Sequence, residues 1–291
     1  MFPLFTSAEY QSALELVRSA LREDLNGQSD LTTAALIPEG AQGEIRIVAR
    51  QAGVLSGGVV LPLVLGELSN TVECRDPLID GDRLSPGTVI ATLRGDYGTL
   101  LTAERTILNF LTLLSGVATL TRQYVDAVAG TSAQILDTRK TLPGLRTLQK
   151  YAVRCGGGTN HRIGLFDAVL VKDNHLAWFR SHGSSTLAEA AELVRSRVPE
   201  GTVIEFEVDS IEQLEELLPG SPDIVLLDNM SPDQLSKCVE LRNTTAPNVL
   251  LEASGGVTLA TVGAIAATGV DRISVGALTH SAPALDIGFD W

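Results

Sequence analysis

The chain has 291 residues, 44% of them hydrophobic and 20% charged, enough for one large domain or two modest ones with ample core. Its formal charge of −13 and pI near 4.7 argue against nucleic acid and anionic membrane as partners. No apolar run reaches the roughly 18 residues of a membrane span, the N-terminal MFPLFTSAEY lacks the regions of a signal peptide, and Cys74, Cys155 and Cys238 are scattered without zinc spacing, so the sequence reads as a cytoplasmic protein with reduced thiols.

Thr6-x-x-Glu9 is a capping box that opens a helix, with apolar residues at Tyr10, Ala13, Leu14, Val17, Ala20 and Leu21. Residues 43–50, GEIRIVAR, alternate as a half-buried strand. Residues 59–68 read as a helix despite Pro62, and Asp80-Gly81 and Pro86-Gly87 mark turns between short strands. This first third reads as an α+β unit with an antiparallel sheet. Thr102 is the expected cap of a long helix that Gly116 interrupts and Gly130 ends, and the domain division is expected inside it, near residue 112.

Beyond that helix the rhythm changes. Short apolar runs at 134–136, 168–171, 203–208, 224–227, 249–253 and 272–275 alternate with helical stretches such as 187–197, 211–218, 232–242 and 259–268. Such alternation predicts a parallel sheet with helices outside it, either a reduced βα barrel or an open doubly wound sheet.

Residues 137–175 hold seven of the 22 Lys and Arg residues against three aspartates, about +4 in an acidic protein. A cationic island of this kind suits a small polyanion. Arg146, Lys150 and Arg154, spaced by four, read as the solvated stripe of a helix. Arg139, Lys140, Arg162 and Lys172 stand instead at strand ends or in the loop after Gly156-Gly157-Gly158. Cys155 beside those glycines has no base paired with it in the sequence.

The residues at the strand ends carry the functional reading. The first run delivers Asp137, Arg139 and Lys140, and the other five deliver, in order, Lys172, Glu207, Asp228, Ser254-Gly255-Gly256 and Gly276. Strand ends of a βα barrel surround one mouth, where active sites are built. The last two sets resemble a phosphate site, with backbone N–H groups exposed by glycine and the 259–268 helix behind. Glu207 and Asp228 form a carboxylate pair open to acid–base work, Mg²⁺ ligation or stabilisation of a cationic sugar. Arg139, His161, Arg162 and Lys172 suit a ligand with more than one carboxylate. Two chemistries fit: transfer of a phosphorylated sugar to a small acidic ring, or a Schiff-base barrel enzyme with Lys140 or Lys172 as amine nucleophile.

At these positions the chain strongly resembles the quinolinate phosphoribosyltransferase family. The resemblance covers nearly the whole sequence, through DLTT at 30–33, AERTILNFL at 103–111, DTRKTLPGLR at 137–146, KYAVRCGGGTNHRIGLFD at 150–167, KDNH at 172–175, EVD at 207–209, LLDNM at 226–230, EASGG at 252–256 and the final 273–291. It implies an α/β protein: an N-terminal α/β sandwich, residues 1–112 completed by the tail 276–291, and an incomplete, seven-stranded βα barrel, residues 113–275. It implies transfer of phosphoribosyl from phosphoribosyl pyrophosphate (PRPP) to quinolinate with decarboxylation, giving nicotinate mononucleotide, pyrophosphate and CO₂, with Mg²⁺ as cofactor. The quinolinate set it implies is Arg105, Thr138, Arg139, Lys140, His161, Arg162 and Lys172. Lys140, Glu207 and Asp228 are the implied catalytic residues, the last two also holding Mg²⁺ directly or through water. The implied phosphate set is Ser254, Gly255, Gly256, Val275, Gly276, Ala277 and His280. A homodimer with Arg105 donated in trans is implied as well. The ModD-type relatives of molybdenum transport operons are the alternative; the complete cationic set favours the first assignment.

Overall fold

Two main β-sheets of opposite character, one antiparallel and one parallel, carry the chain. The computed structural model describes residues 4–181, 183 and 186–291; the first three residues of the N-terminal stretch lie outside them. The chain divides into two units. One comprises Met1–Arg122, Lys140–Gly158 and Ala277–Trp291, the other Gln123–Arg139 and Thr159–Gly276. The sequence division at residue 112 thus stands beside a structural one at Arg122.

In the first unit, α1 (Ser7–Leu25) opens on the capping box, in which Thr6 N–H donates to the Glu9 carboxylate at 2.7 Å and Glu9 N–H donates to Thr6 Oγ1 at 3.3 Å. Asp30 caps the short α2 (Leu31–Leu36). Strand β1 (Gln42–Ala49) follows the alternation of the sequence, and β2 (Gly53–Val54) precedes α3 (Leu61–Leu68). Pro62 sits in the first turn of α3, where no intrahelical N–H is required. Next come β3 (Glu73–Arg75), β4 (Arg83–Leu84), β5 (Val89–Asp96) and the long α4 (Tyr97–Ala127).

Helix α4 differs from expectation at two places. It starts five residues before Thr102, because Asp96 accepts the Thr99 N–H at 2.8 Å; the Thr102 hydroxyl donates to the Gly98 carbonyl inside the helix. It also runs unbroken through Gly116. A Cβ there would lie 2.1 Å from the Pro283 carbonyl oxygen, so the glycine lets the C-terminal tail cross the helix backbone. Helix α5 (Arg146–Cys155) corrects a third expectation. Lys150 is buried at 1% exposure, and Arg154 pairs with Glu9 at 2.8 Å. The basic stripe is not a solvated face, because both flanks of α5 are covered, with Leu148, Tyr151, Val153 and Cys155 buried beside Lys150.

The second unit is built on a parallel sheet. Its elements are β6 (Gln134–Leu136), β7 (Val169–Val171), α6 (Asp173–Ser181), α7 (Leu187–Arg197), β8 (Ile204–Val208), α8 (Ile211–Leu217), β9 (Ile224–Asp228), α9 (Pro232–Thr245), β10 (Leu250–Ser254), α10 (Val262–Ala266) and β11 (Arg272–Ser274). The strand order is β6-β11-β10-β9-β8-β7. The six strands are those legible in the sequence; α6 was not. The implied seventh strand is reduced, among the described residues, to one parallel bridge between Leu136 and Thr159 on the outer side of β6.

That bridge shows that the sheet is rolled. Two residues beyond Thr159, the His161 ring lies 3.0 Å from Glu205 on β8, five strand positions away. In a flat sheet those positions would be about 24 Å apart. The rolled sheet is the reduced βα barrel, and Phe206, Val225, Leu227, Leu251 and Ile273 are fully buried along its strands.

The chain then returns to the first unit through α11 (Ala277–His280) and β12 (Ile287–Asp290). Strand β12 pairs antiparallel with β1, giving the sheet order β12-β1-β5-β3. β2 and β4 form a separate two-stranded ladder. Among the described residues no helix is long and apolar enough to cross a membrane.

Candidate active site

Parallel strands end on the same side of their sheet, and side chains two apart share a face. The register sets Glu205 beside Ile224, Glu207 beside Leu226, Leu226 beside Glu252, Asp228 beside Ser254 and Glu252 beside Arg272. Glu205, Glu207, Asp228, Glu252, Ser254 and Arg272 therefore face one way. Val171 pairs with Phe206, so Lys172, one residue past β7, falls beside Glu207. Its ammonium forms an ion pair with the Glu207 carboxylate. Glu207, Asp228, Asp173 and Asp209 line a cavity of about 210 Å³. Hard carboxylate oxygens at its rim are the donor type that Mg²⁺ takes, so the residues present fit that ion.

Beside Asp228 the chain turns sharply. Asn229 has φ +55°, its N–H donates to the Ser254 carbonyl at 2.9 Å, and its side-chain amide donates to Asp228 at 2.7 Å. Gly255 has φ +96°, and a Cβ on it would lie 2.1 Å from Asn229 Oδ1. A side chain there is opposed both by backbone conformation and by this contact. The helix expected behind this loop at 259–268 is only the five-residue α10, because Thr258 and Thr261 bond each other in a turn before it.

The cationic side of the site rests on the end of β6. Asp137 is fully buried and accepts two hydrogen bonds, from Asn160 Nδ2 at 2.6 Å and from the His161 N–H at 2.9 Å. It ties the 160–162 loop to the strand that also delivers Thr138 and Arg139. Arg162 sends one Nη1 hydrogen to the Ala168 carbonyl at 3.2 Å. Burial and the neighbouring Arg139 charge pull the Arg162 guanidinium below its ordinary value, although it stays cationic at neutral pH.

Below them lies a buried polar cluster. His161 Nε2 is 3.0 Å from Glu205 and 3.3 Å from Glu252, and Arg272 Nε donates to Glu252 at 2.7 Å. The other ring nitrogen, Nδ1, accepts the Arg162 N–H at 2.8 Å. Burial disfavours a charged ring, whereas the two carboxylates favour one. A second proton would nevertheless have to sit on Nδ1, where the Arg162 amide already points its hydrogen. That contact keeps the ring in the Nε2–H form. Burial pushes Glu205 up, whereas Glu252, also buried, is held below its ordinary value by His161 and Arg272.

Family models match both parts of the chain: "Quinolinate phosphoribosyl transferase, C-terminal domain" over residues 117–290 and the corresponding N-terminal domain over residues 30–115. The chain is 46% identical over 289 residues to the carboxylating nicotinate-nucleotide pyrophosphorylase of Mycobacterium leprae, covering 99% of this chain and 100% of that one. It is 36% identical to a decarboxylating mitochondrial quinolinate phosphoribosyltransferase of Nicotiana tabacum, covering 94% of this chain and 80% of that one. The nicotinate-nucleotide pyrophosphorylase structure from Francisella tularensis superposes with a TM-score of 0.88 at 36% identity, covering 96% of each chain. The chain belongs to the quinolinate phosphoribosyltransferase family.

Within this family member the structure brings part of the expected set together. Lys172 meets Glu207, the charge of Arg139 acts on Arg162, and Asp228, Ser254 and Gly255 converge at Asn229, with Gly256 next in the chain. Val275 and Gly276 follow β11 in the same unit. Arg105, exposed on α4, belongs to the first unit, as do Lys140, Ala277 and His280. The Lys140 carbonyl accepts from the Thr279 hydroxyl at 2.8 Å. Asn160, Glu205, Glu252 and Arg272 were not singled out from sequence. The signal was present for Glu205, since it stands two residues from Glu207 and so on the same face. Burial pushes the Cys155 thiol up to about 12, which leaves it unreactive.

Proposed function

We propose that this chain transfers the phosphoribosyl group of PRPP to the ring nitrogen of quinolinate and releases pyrophosphate and CO₂. The observation that carries this reading is the Lys172–Glu207 ion pair at the strand ends, with Asp228 lining the same cavity as Glu207. Quinolinate has two adjacent carboxylates, and desolvating them requires cations with fork geometry. Arg139, Arg162 and Lys172 supply them, with Thr138 and Lys140 beside them and His161 seating the backbone of Arg162. Lys172 changes partner from Glu207 to a substrate carboxylate, which frees Glu207 to face the sugar. The Schiff-base alternative fits less well, since the ion pair engages the charge of this nitrogen rather than a lone pair.

Glu207 and Asp228 are the residues that would hold Mg²⁺, which when bound offsets the charge of the pyrophosphate group. Departure of pyrophosphate leaves an oxocarbenium-like centre, and carboxylates on the same face stabilise it. Once glycosylated, the ring nitrogen is cationic and accepts the electron pair left by CO₂, so the protein needs little dedicated decarboxylation machinery. Ser254, Gly255, Gly256, Val275, Gly276, Ala277 and His280 form the 5′-phosphate set, which the tight glycine approach at Asn229 supports.

The working form in this reading is a homodimer with Arg105 acting across the interface. Its support is the exposure of Arg105 on α4 and an apolar tip beside Arg162, where Leu165 and Phe166 are 73% and 85% exposed and call for cover. Three free thiols suit a reducing compartment such as the cytoplasm. The test is product formation from quinolinate and PRPP, with CO₂ release measured in parallel.

A further inference from the structure

Glu205 and Glu252 are buried carboxylates of the second unit, at 2% and 0% exposure, and the reaction outlined above uses neither. Buried carboxylates are costly unless they are bonded to something that needs them. Here that partner is one ring. Both reach His161 Nε2, while His161 Nδ1 receives the backbone N–H of Arg162. Each ring nitrogen is thus engaged inside the protein, one toward the barrel floor and one toward the loop that carries Arg162. The same loop is pinned on its other side by Asp137, through Asn160 and the His161 N–H. Arg272 completes the cluster from the neighbouring strand, bonded to Glu252.

We propose that Glu205 and Glu252 are positioning residues for substrate recognition: they clamp the His161 ring, and the ring fixes the backbone from which Arg162 meets the carboxylate. This rests on the reading that Arg162 holds a quinolinate carboxylate. In this arrangement His161 contributes its nitrogens to the protein and presents at most a carbon edge to the ligand. The clamp also explains why a glutamate stands at both buried positions. Glu205 supplies the nearer contact to Nε2, at 3.0 Å, while Glu252 stands 3.3 Å from it and is held in place by Arg272.

A Glu252-only clamp, in which Glu205 is mere filling, predicts that Glu205→Leu is silent. The proposal predicts otherwise. Glu205→Leu removes the nearer acceptor and should raise the quinolinate KM about tenfold or more while the PRPP KM stays within about twofold. Glu205→Gln keeps an oxygen acceptor within reach of Nε2–H and should restore the quinolinate KM to within about threefold of wild type. An unchanged quinolinate KM in a folded Glu205→Leu enzyme, equal loss for both substrates, or failure of Gln to rescue would each overturn the proposal. The ¹⁵N spectrum of the histidine rings tests the geometry even if the leucine variant does not fold. Ligand-free wild-type protein should show His161 protonated at Nε2 and not at Nδ1, unchanged when quinolinate is added. A protonated Nδ1, or loss of the Nε2 proton on adding quinolinate, would overturn it. Wild-type turnover of quinolinate reports separately on the underlying function, because the ring's protonation is read without substrate.

Discussion

Replacing Arg162 by alanine probes the anion site at its most exposed assumption. The guanidinium is aimed by its bond to the Ala168 carbonyl, 3.2 Å away, and by the backbone contact of its own N–H with His161. A charge-assisted fork to a carboxylate contributes roughly 1.5–3 kcal/mol. Part of this is returned on truncation, because Arg139 loses a like-charged neighbour. We therefore expect a loss in the lower half of that range, about 1.5–2 kcal/mol, or roughly 10–30-fold in kcat/KM for quinolinate. Arg162→Lys should fall between the two enzymes, since it keeps the charge and loses the fork. The assay is initial-rate kinetics with each substrate varied at saturation of the other, with thermal melting to confirm folding. If folded Arg162→Ala keeps quinolinate kcat/KM within about twofold of wild type, Arg162 does not hold a carboxylate and the argument from paired guanidiniums fails.

Gly255→Val should weaken PRPP binding and leave quinolinate affinity largely intact, since the new Cβ strikes Asn229 at 2.1 Å and a positive φ costs a β-branched residue roughly 1–2 kcal/mol; calorimetry with each ligand separates the effects. Mixing inactive Arg105→Ala and Lys172→Ala dimers should restore about a quarter of wild-type activity if Arg105 acts in trans, because about half the dimers are then mixed and each has one intact site. Activity that stays at the parental level after exchange has been verified with a tagged subunit would place Arg105 in cis or outside the site. Stability should depend on acid through Glu9. Burial raises its pKa, but hydrogen bonds from Arg154 and Thr6 outweigh it, leaving the group below its ordinary 4.5. Its contribution is therefore complete above that value and is lost as pH falls through the lowered one. The melting temperature of Glu9→Gln should accordingly fall less steeply on acidification than that of wild type; parallel curves would contradict this.

Much of the barrel was legible because its six strands are apolar runs bounded by turn residues, and the carboxylates and glycines after them announce a shared mouth. The elements that escaped did so for identifiable reasons. The seventh strand has shrunk to Thr159, whose single bridge leaves no periodic trace in GGGTNHR. Helix α4 is capped by Asp96 rather than Thr102 because either residue type caps well, and only the structure shows which backbone N–H groups need a partner. Lys150 reads as a surface residue by spacing, yet α5 is covered on its Lys150 side as well. Glu205 and Glu252 look like the polar side of alternating strands. Their burial depends on a histidine delivered from five and three strand positions away, and local sequence carries no record of that meeting.

The central claim is that this site reads two carboxylates and discards one. Its most direct measurement is a comparison of quinolinate with nicotinate, each supplied with PRPP and Mg²⁺, following nicotinate mononucleotide and CO₂ together. With quinolinate, nucleotide and CO₂ should appear in equal amounts. Nicotinate, which lacks the carboxylate that is lost, leaves the cations that face it without their partner at a cost of several kcal/mol, and should be slower by about a hundredfold or more in kcat/KM. Comparable kcat/KM for the two acids, or nucleotide formed from quinolinate without CO₂, would contradict the account.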